Sequence, residues 1–176
     1  MQRIKPIVKD AFLYFFQIYI YIWPSFLIGN NVVGLIVRIA MNNSNETFAK
    51  ICETITCVVV LCAFLFIYAY RRGHKRAEFH YKNLLISLLL AFGLQFIYAI
   101  IFRFNVYTNA GAYFFATLLH PGEISSYDIP TYIYVTTMCI VDVFYVVAVI
   151  SGEYLGKKKR LRERSVLNLD EENKEA

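Results

Sequence analysis

This chain carries little charge for its size. Only 18% of its 176 residues are Asp, Glu, Lys or Arg, and 58% are apolar. A typical soluble domain is about 25% charged and roughly 45–50% apolar. A soluble globule of this length cannot hide so much apolar surface, because small domains bury only about two-thirds of what the unfolded chain exposes. The same imbalance, with a mean hydropathy of +0.47, excludes intrinsic disorder. Cysteine is scarce and scattered: Cys52, Cys57, Cys62 and Cys139 form no C-x-x-C pair. That excludes a disulfide-stapled secreted fold, a cysteine zinc site and a redox dithiol. The three histidines, His74, His80 and His120, make no H-x-x-x-H or H-E-x-x-H motif, and no glycine-rich phosphate loop occurs. His120 with Glu123 and Asp128 is too sparse to read as a metal site. Neither a catalytic centre nor a cofactor or metal is therefore expected, and the chain is not read as an enzyme.

Long apolar runs are what the sequence does contain. A helix crossing a bilayer of about 30 Å needs roughly 20 mostly apolar residues. The first run, 11–37, holds no charge before Arg38 and would extend ~40 Å as a helix. Pro24 and the pair Asn30–Asn31 fall inside it. Two forms fit: a kinked, tilted helix that continues past Pro24, or a helix that leaves the hydrocarbon near Gly29. The first is preferred, because proline is tolerated in membrane helices. The run is too long for a removed signal peptide and lacks a small-residue cleavage site, so it is expected to remain as an anchor. Further spans are expected at 51–70, 83–102 and 129–152. The expected fold class is all-α: a four-span transmembrane helical bundle over 11–155, with an N-tail at 1–10 and a charged C-tail at 156–176.

Basic residues orient the bundle. Fifteen of the eighteen Lys and Arg lie in the N-tail, in the loop between spans two and three, and in the C-tail; Arg38, Lys50 and Arg103 are the exceptions. By the positive-inside rule both termini and that middle loop are cytoplasmic. The net charge of +5 then reads as a topology signal and not as a nucleic-acid surface. The expected location is the plasma membrane. A bacterial cytoplasmic membrane is preferred on the compact tails and cysteine-free outer loops, although Asn42 and Asn45 head Asn-x-Ser/Thr sequences. The second outer loop, 103–128, contains a ten-residue apolar patch ending at His120. That patch is too short to span. It is either a short re-entrant or interfacial helix or an irregular loop over the bundle mouth.

Asp142 is the most informative single residue, because it falls near the middle of the fourth span. A carboxylate there costs ~2.5–3.5 kcal/mol on insertion scales, so such residues usually face the bundle interior and have a partner. Counting from span boundaries places Gln95 and Ser25 at similar depth, and Tyr145 on the same helix face as Asp142. These four form the candidate intramembrane polar site. Asp142 is either a proton or cation site coupled to solute movement, or interhelical glue worth only ~1 kcal/mol.

Three lesser features complete the reading. The pairs Ser87/Ala91 and Ala148/Gly152 have a spacing that lets helices approach closely, though such pairs are frequent by chance. Aromatics crowd the first span at Tyr14, Tyr19, Tyr21, Trp23 and Phe26, where packing is the expected role. Arg71, Arg72, Lys75 and Arg76, with Lys157, Lys158 and Arg160, are candidate contacts to anionic lipid headgroups. The function expected is a small transporter, channel or transporter subunit. The alternative is a non-catalytic accessory subunit of a larger membrane complex. The expected partners are cytoplasmic-side headgroups and a second copy or another membrane protein, with no nucleic acid.

Overall fold

A computed structural model describes residues 4–41, 46–76, 80–101 and 131–175, and no strand occurs among them. In a bilayer every backbone N–H and C=O must be satisfied within the segment, which makes helix the form these apolar runs adopt. The helices are α1 (Ile4–Phe26), a π-helical stretch (Leu27–Gly34), α2 (Leu35–Ala40), α3 (Glu46–Lys75), α4 (Tyr81–Ile101) and α5 (Thr131–Glu175). Among the described residues, four helical runs are long and apolar enough to cross a membrane: Ile4–Ala40, Phe48–Lys75, Tyr81–Ile101 and Val135–Val166. At most a third of each run's apolar window is buried inside the bundle. The remainder, including Phe16, Trp23, Leu89, Ile97, Val143 and Val147, is left for lipid.

The first run is helical over all 37 residues of Ile4–Ala40, continuing through Pro24 and past Gly29. Proline removes one backbone donor and crowds the turn before it. Next to it the Ser25 hydroxyl donates to the Tyr21 carbonyl at 2.6 Å. The widened π-helical stretch begins three residues after the proline. A π-helix accommodates an altered hydrogen-bond ladder without ending the helix.

Helix α1 lies between α3 and α4, α5 packs along α3, and α4 meets α5 only sparsely. The core is a set of stripes stepping by three or four residues: Tyr14, Ile18 and Ile22 on α1, Leu61, Leu65 and Ala69 on α3, Leu84, Leu88 and Ala91 on α4, and Val141, Tyr145 and Val149 on α5. Residues four apart share one helix face. Of the first-span aromatics, Tyr14, Tyr19 and Tyr21 pack in the bundle, whereas Trp23 is exposed. Tyr19 meets Tyr98 at 4.8 Å between ring centroids, Tyr21 stacks on Phe64 at 5.1 Å, and Tyr14 meets Tyr68 edge-on at 5.9 Å.

Helices α3 and α5 run parallel and in close contact because glycines line their seam. A Cβ on Gly152 would press on the Phe66 carbonyl oxygen and on Ala69. One on Gly156 would strike the Tyr70 carbonyl oxygen, and one on Gly73 would strike the backbone of Glu153. Gly152 of the Ala148/Gly152 pair thus serves α3–α5 contact. In α4, Ser87 and Ala91 are both fully buried, and the Ser87 hydroxyl donates to the Ile7 carbonyl at 3.1 Å. The charged segment from 156 is helical through Glu175. It continues α5, which is 45 residues long and so extends ~68 Å, about twice what a crossing needs. The second outer loop, 103–128, and Asn42 and Asn45 lie outside the described residues.

Candidate functional site

The start of α1, the end of α3, the middle of α5 and the start of α4 meet at one end of the apolar bundle, here called the basic end. There the apolar stripes run directly into charged residues. Asp10 precedes Tyr14 by one turn on α1, Arg72 and Arg76 follow Ala69 on α3, and Glu153 follows Val149 on α5. The Tyr14 hydroxyl donates to Glu153 Oε1. Arg72 binds Asp10 Oδ1 through Nη2 and approaches Glu153 Oε1 at 3.6 Å through Nε. Arg76 binds Asp10 Oδ2 and lies 4.0 Å from Glu153 Oε1. The Arg72 guanidinium also sits 4.8 Å from the centroid of the Tyr14 ring, a cation–π contact. Arg160 donates to the Arg76 carbonyl, and one turn further out His74 meets Glu163 at 2.7 Å. Glu153 is wholly buried and Asp10 nearly so. Two carboxylates face two guanidiniums, so the cluster is formally neutral and tolerates burial. The balance is not matched by full hydrogen bonding: Glu153 Oε2 and Arg72 Nη1 are buried without a hydrogen-bond partner.

A second ion pair stands toward the far end. Arg38 Nη2 meets Glu53 Oε1 at 2.6 Å, and Glu53 is 3% exposed against 38% for Arg38. The π-helical stretch brings Gly34 against the Glu53 side chain and Gly29 against Cys57. The Cys57 thiol donates to the Ser25 carbonyl at 3.4 Å.

Between these layers lies Asp142. It precedes Glu153 by eleven residues on α5, or ~16 Å along the axis. The glycine seam aligns Gly152 with Ala69, and extending that parallel alignment brings Asp142 level with Val59, about two turns from Glu53. Its Oδ1 is buried and has no hydrogen-bond partner. Gln95 is also wholly buried with neither amide atom bonded, yet it is not at the depth of Asp142. Ser87 bonds to Ile7, and Tyr98 packs on Tyr19 and Phe15. This register places Gln95 beside the Tyr14–Tyr19 segment, in the basic half. Counting from span boundaries fails here because α4 starts well inside the basic end. Ser25 is level with Asp142 but belongs to α1, which α3 separates from α5, and its hydroxyl is committed to Tyr21. Tyr145 is buried one turn from Asp142 on the same helix. Of the four candidate residues, the structure keeps Asp142 and Tyr145 as neighbours along α5 and sets Gln95 and Ser25 apart from them.

The seven candidate headgroup residues also divide. Arg71, Lys75 and Lys158 are exposed and Lys157 is half-buried. Arg72 and Arg76 turn inward to carboxylates, and Arg160 is engaged with the α3 backbone. Asp10, Tyr14 and Glu153, and Glu53 with Arg38, are the polar residues that reading by span misses. Their signal is position: each acid extends an apolar stripe by one four-residue step. Among the described residues no group of three His, Cys, Asp or Glu is gathered as for a metal. No protein-family model, curated protein or solved structure matches this chain, so the site rests on its own residues.

Proposed function

We propose that this multi-pass membrane protein is a small transporter or channel that passes protons across the membrane, and that Asp142 is its intramembrane proton site. The observation that carries this reading is the buried, unpartnered Oδ1 of Asp142, held between an ion cluster at the basic end and the Arg38–Glu53 pair toward the far end. Interhelical glue requires a hydrogen bond across helices, and this oxygen makes none among the described residues. An intramembrane acid is costly and marks a pathway when it is not structural. A proton needs a single lone pair, whereas a dehydrated metal ion needs several oxygen ligands.

The test is proton flux in proteoliposomes containing a trapped pH-sensitive dye and driven by a potassium diffusion potential. The wild type is expected to exceed empty liposomes, and Asp142→Asn to fall to their level. Equal flux in the two proteins, or none in the wild type, overturns the reading. A second reading, an accessory subunit whose partner pairs with Asp142, is favoured by the sparse contact between α4 and α5. It predicts a stoichiometric membrane partner in a mild-detergent purification that Asp142→Asn loses.

A further inference from the structure

The outer part of α5 takes no part in the proton path. Helix α3 ends at Lys75, and the glycine seam sets Gly156 against Tyr70 and His74, so α3 runs out soon after Gly156. Helix α5 continues to Glu175, ~29 Å farther along its axis. Its ties to α3 there are Arg160 on the Arg76 carbonyl and Glu163 on His74. Lys158, Lys159 and every residue from Leu161 to Val166 are exposed, and no proline interrupts the helix.

Charge divides this extension in two. Residues 157–164 hold six Lys and Arg and one acid, whereas residues 170–175 hold four acids and one Lys. Leu161 and Val166 lie beside these charges, and each is more than half exposed. A helix that is polar on every side needs side-chain pairs of its own or something to bridge to. Lys159 and Glu163, 3.8 Å apart, make one such pair, and an exposed pair contributes little.

The two halves complement each other, so the partner that fits is a second copy laid antiparallel. Centred on Val166, a twofold arrangement sets Arg162 opposite Asp170, Arg160 opposite Glu172 and Lys157 opposite Glu175; Lys158 opposite Lys174 is the one like-charged pair. Each copy then offers the same patch, as a twofold interface requires. A parallel pairing sets basic half on basic half, and such juxtaposition opposes association. Because α5 is one helix from its apolar run to Glu175, antiparallel extensions belong to copies in two facing bilayers. We infer that residues 157–175 form a membrane-tethering element that joins copies of this chain across apposed membranes. The overlap holds the two basic ends ~27 Å apart.

The test is clustering of phosphatidylcholine vesicles that carry the full-length protein, prepared as two populations with different fluorescent labels. Protease cleavage establishes how much of the protein presents the basic end outward. Wild-type populations are expected to co-cluster. Lys158→Glu, Lys159→Glu, Arg162→Glu and Arg164→Glu together make both halves acidic, and Asp170→Lys, Glu171→Lys and Glu172→Lys together make both halves basic. Each variant alone should fall to the clustering of protein-free vesicles. Mixing the two variants should restore it, which also shows that both fold. Wild-type vesicles that stay dispersed, clustering that survives either reversal, or loss that mixing does not restore overturns the inference. Clustering that needs anionic lipid in the facing vesicle and survives the reversal to lysine makes a lipid surface the occupant and overturns it too. Proton flux decides the transport reading separately, since neither variant alters Asp142.

Discussion

The Tyr14 hydroxyl donates a hydrogen bond to Glu153 across 139 positions of sequence, within a cluster that holds Arg72 and Asp10 out of water. This contact joins the first span to the last at the basic end, where α1 and α5 are otherwise kept apart by α3. It makes the cluster a structural tie between the two spans.

Removing one member of a buried ion cluster leaves the others uncompensated, at about 3–5 kcal/mol. Arg72→Gln is expected to lower unfolding stability in detergent by that amount. Arg72→Lys should restore little of it, because one ammonium cannot reach both Asp10 and Glu153 as the planar guanidinium does. Arg71→Gln, its exposed neighbour, should stay within ~0.5 kcal/mol of wild type. Equal losses at the two positions would show that Arg72 is not buried among carboxylates.

The glycine seam makes a steric prediction. Gly73→Ala and Gly156→Ala each drive a methyl group into backbone of the facing helix, which cannot rotate away as a side chain can. Each should cost about 1–3 kcal/mol, the usual range for overpacking. Gly93 has open space around it, so Gly93→Ala should be neutral or stabilise by up to ~1 kcal/mol through helix propensity. Thermal unfolding of the three variants in one detergent would rank them.

Lipid contacts should follow exposure more than sequence clustering. Each basic residue near an anionic surface contributes ~1 kcal/mol. Replacing the exposed Arg71, Lys75 and Lys158 together with Gln should strip bound anionic lipid, read as fewer retained lipid adducts in native mass spectrometry. Replacing Arg72 and Arg76 should instead lower stability. Undiminished lipid retention in the triple variant would count against headgroup binding at these positions.

Much of this architecture is legible without coordinates. The apolar runs are long enough to betray four crossings, since lipid demands continuous apolar helix. The stripe at Glu53, Cys57, Leu61, Leu65 and Ala69 can also be read by counting in fours. The functional placement is less legible. Depth counting groups Gln95 with Asp142 because it centres every span alike. Helix register is set instead by side-chain contacts, Ser87 with Ile7 and Tyr98 with Tyr19, which no single run encodes. Glu153 lies one residue beyond the apolar run and so looks like the start of a solvated tail. Yet α5 does not end there, and the glycine seam draws it against α3.

From the residues alone it follows that water is the wrong solvent, that four runs are long and apolar enough to cross a membrane, and that one carboxylate stands deep within the last of them. Composition and run length suffice for that, because the cost of exposing backbone and charge to hydrocarbon does not depend on which helix is the neighbour. Helix packing adds that Arg72 and Arg76 turn inward, that Asp10 and Glu153 receive them, and that Asp142 lies between that cluster and the Arg38–Glu53 pair. Those outcomes depend on helix order and register, and here glycine contacts and aromatic packing between segments far apart in the chain set both.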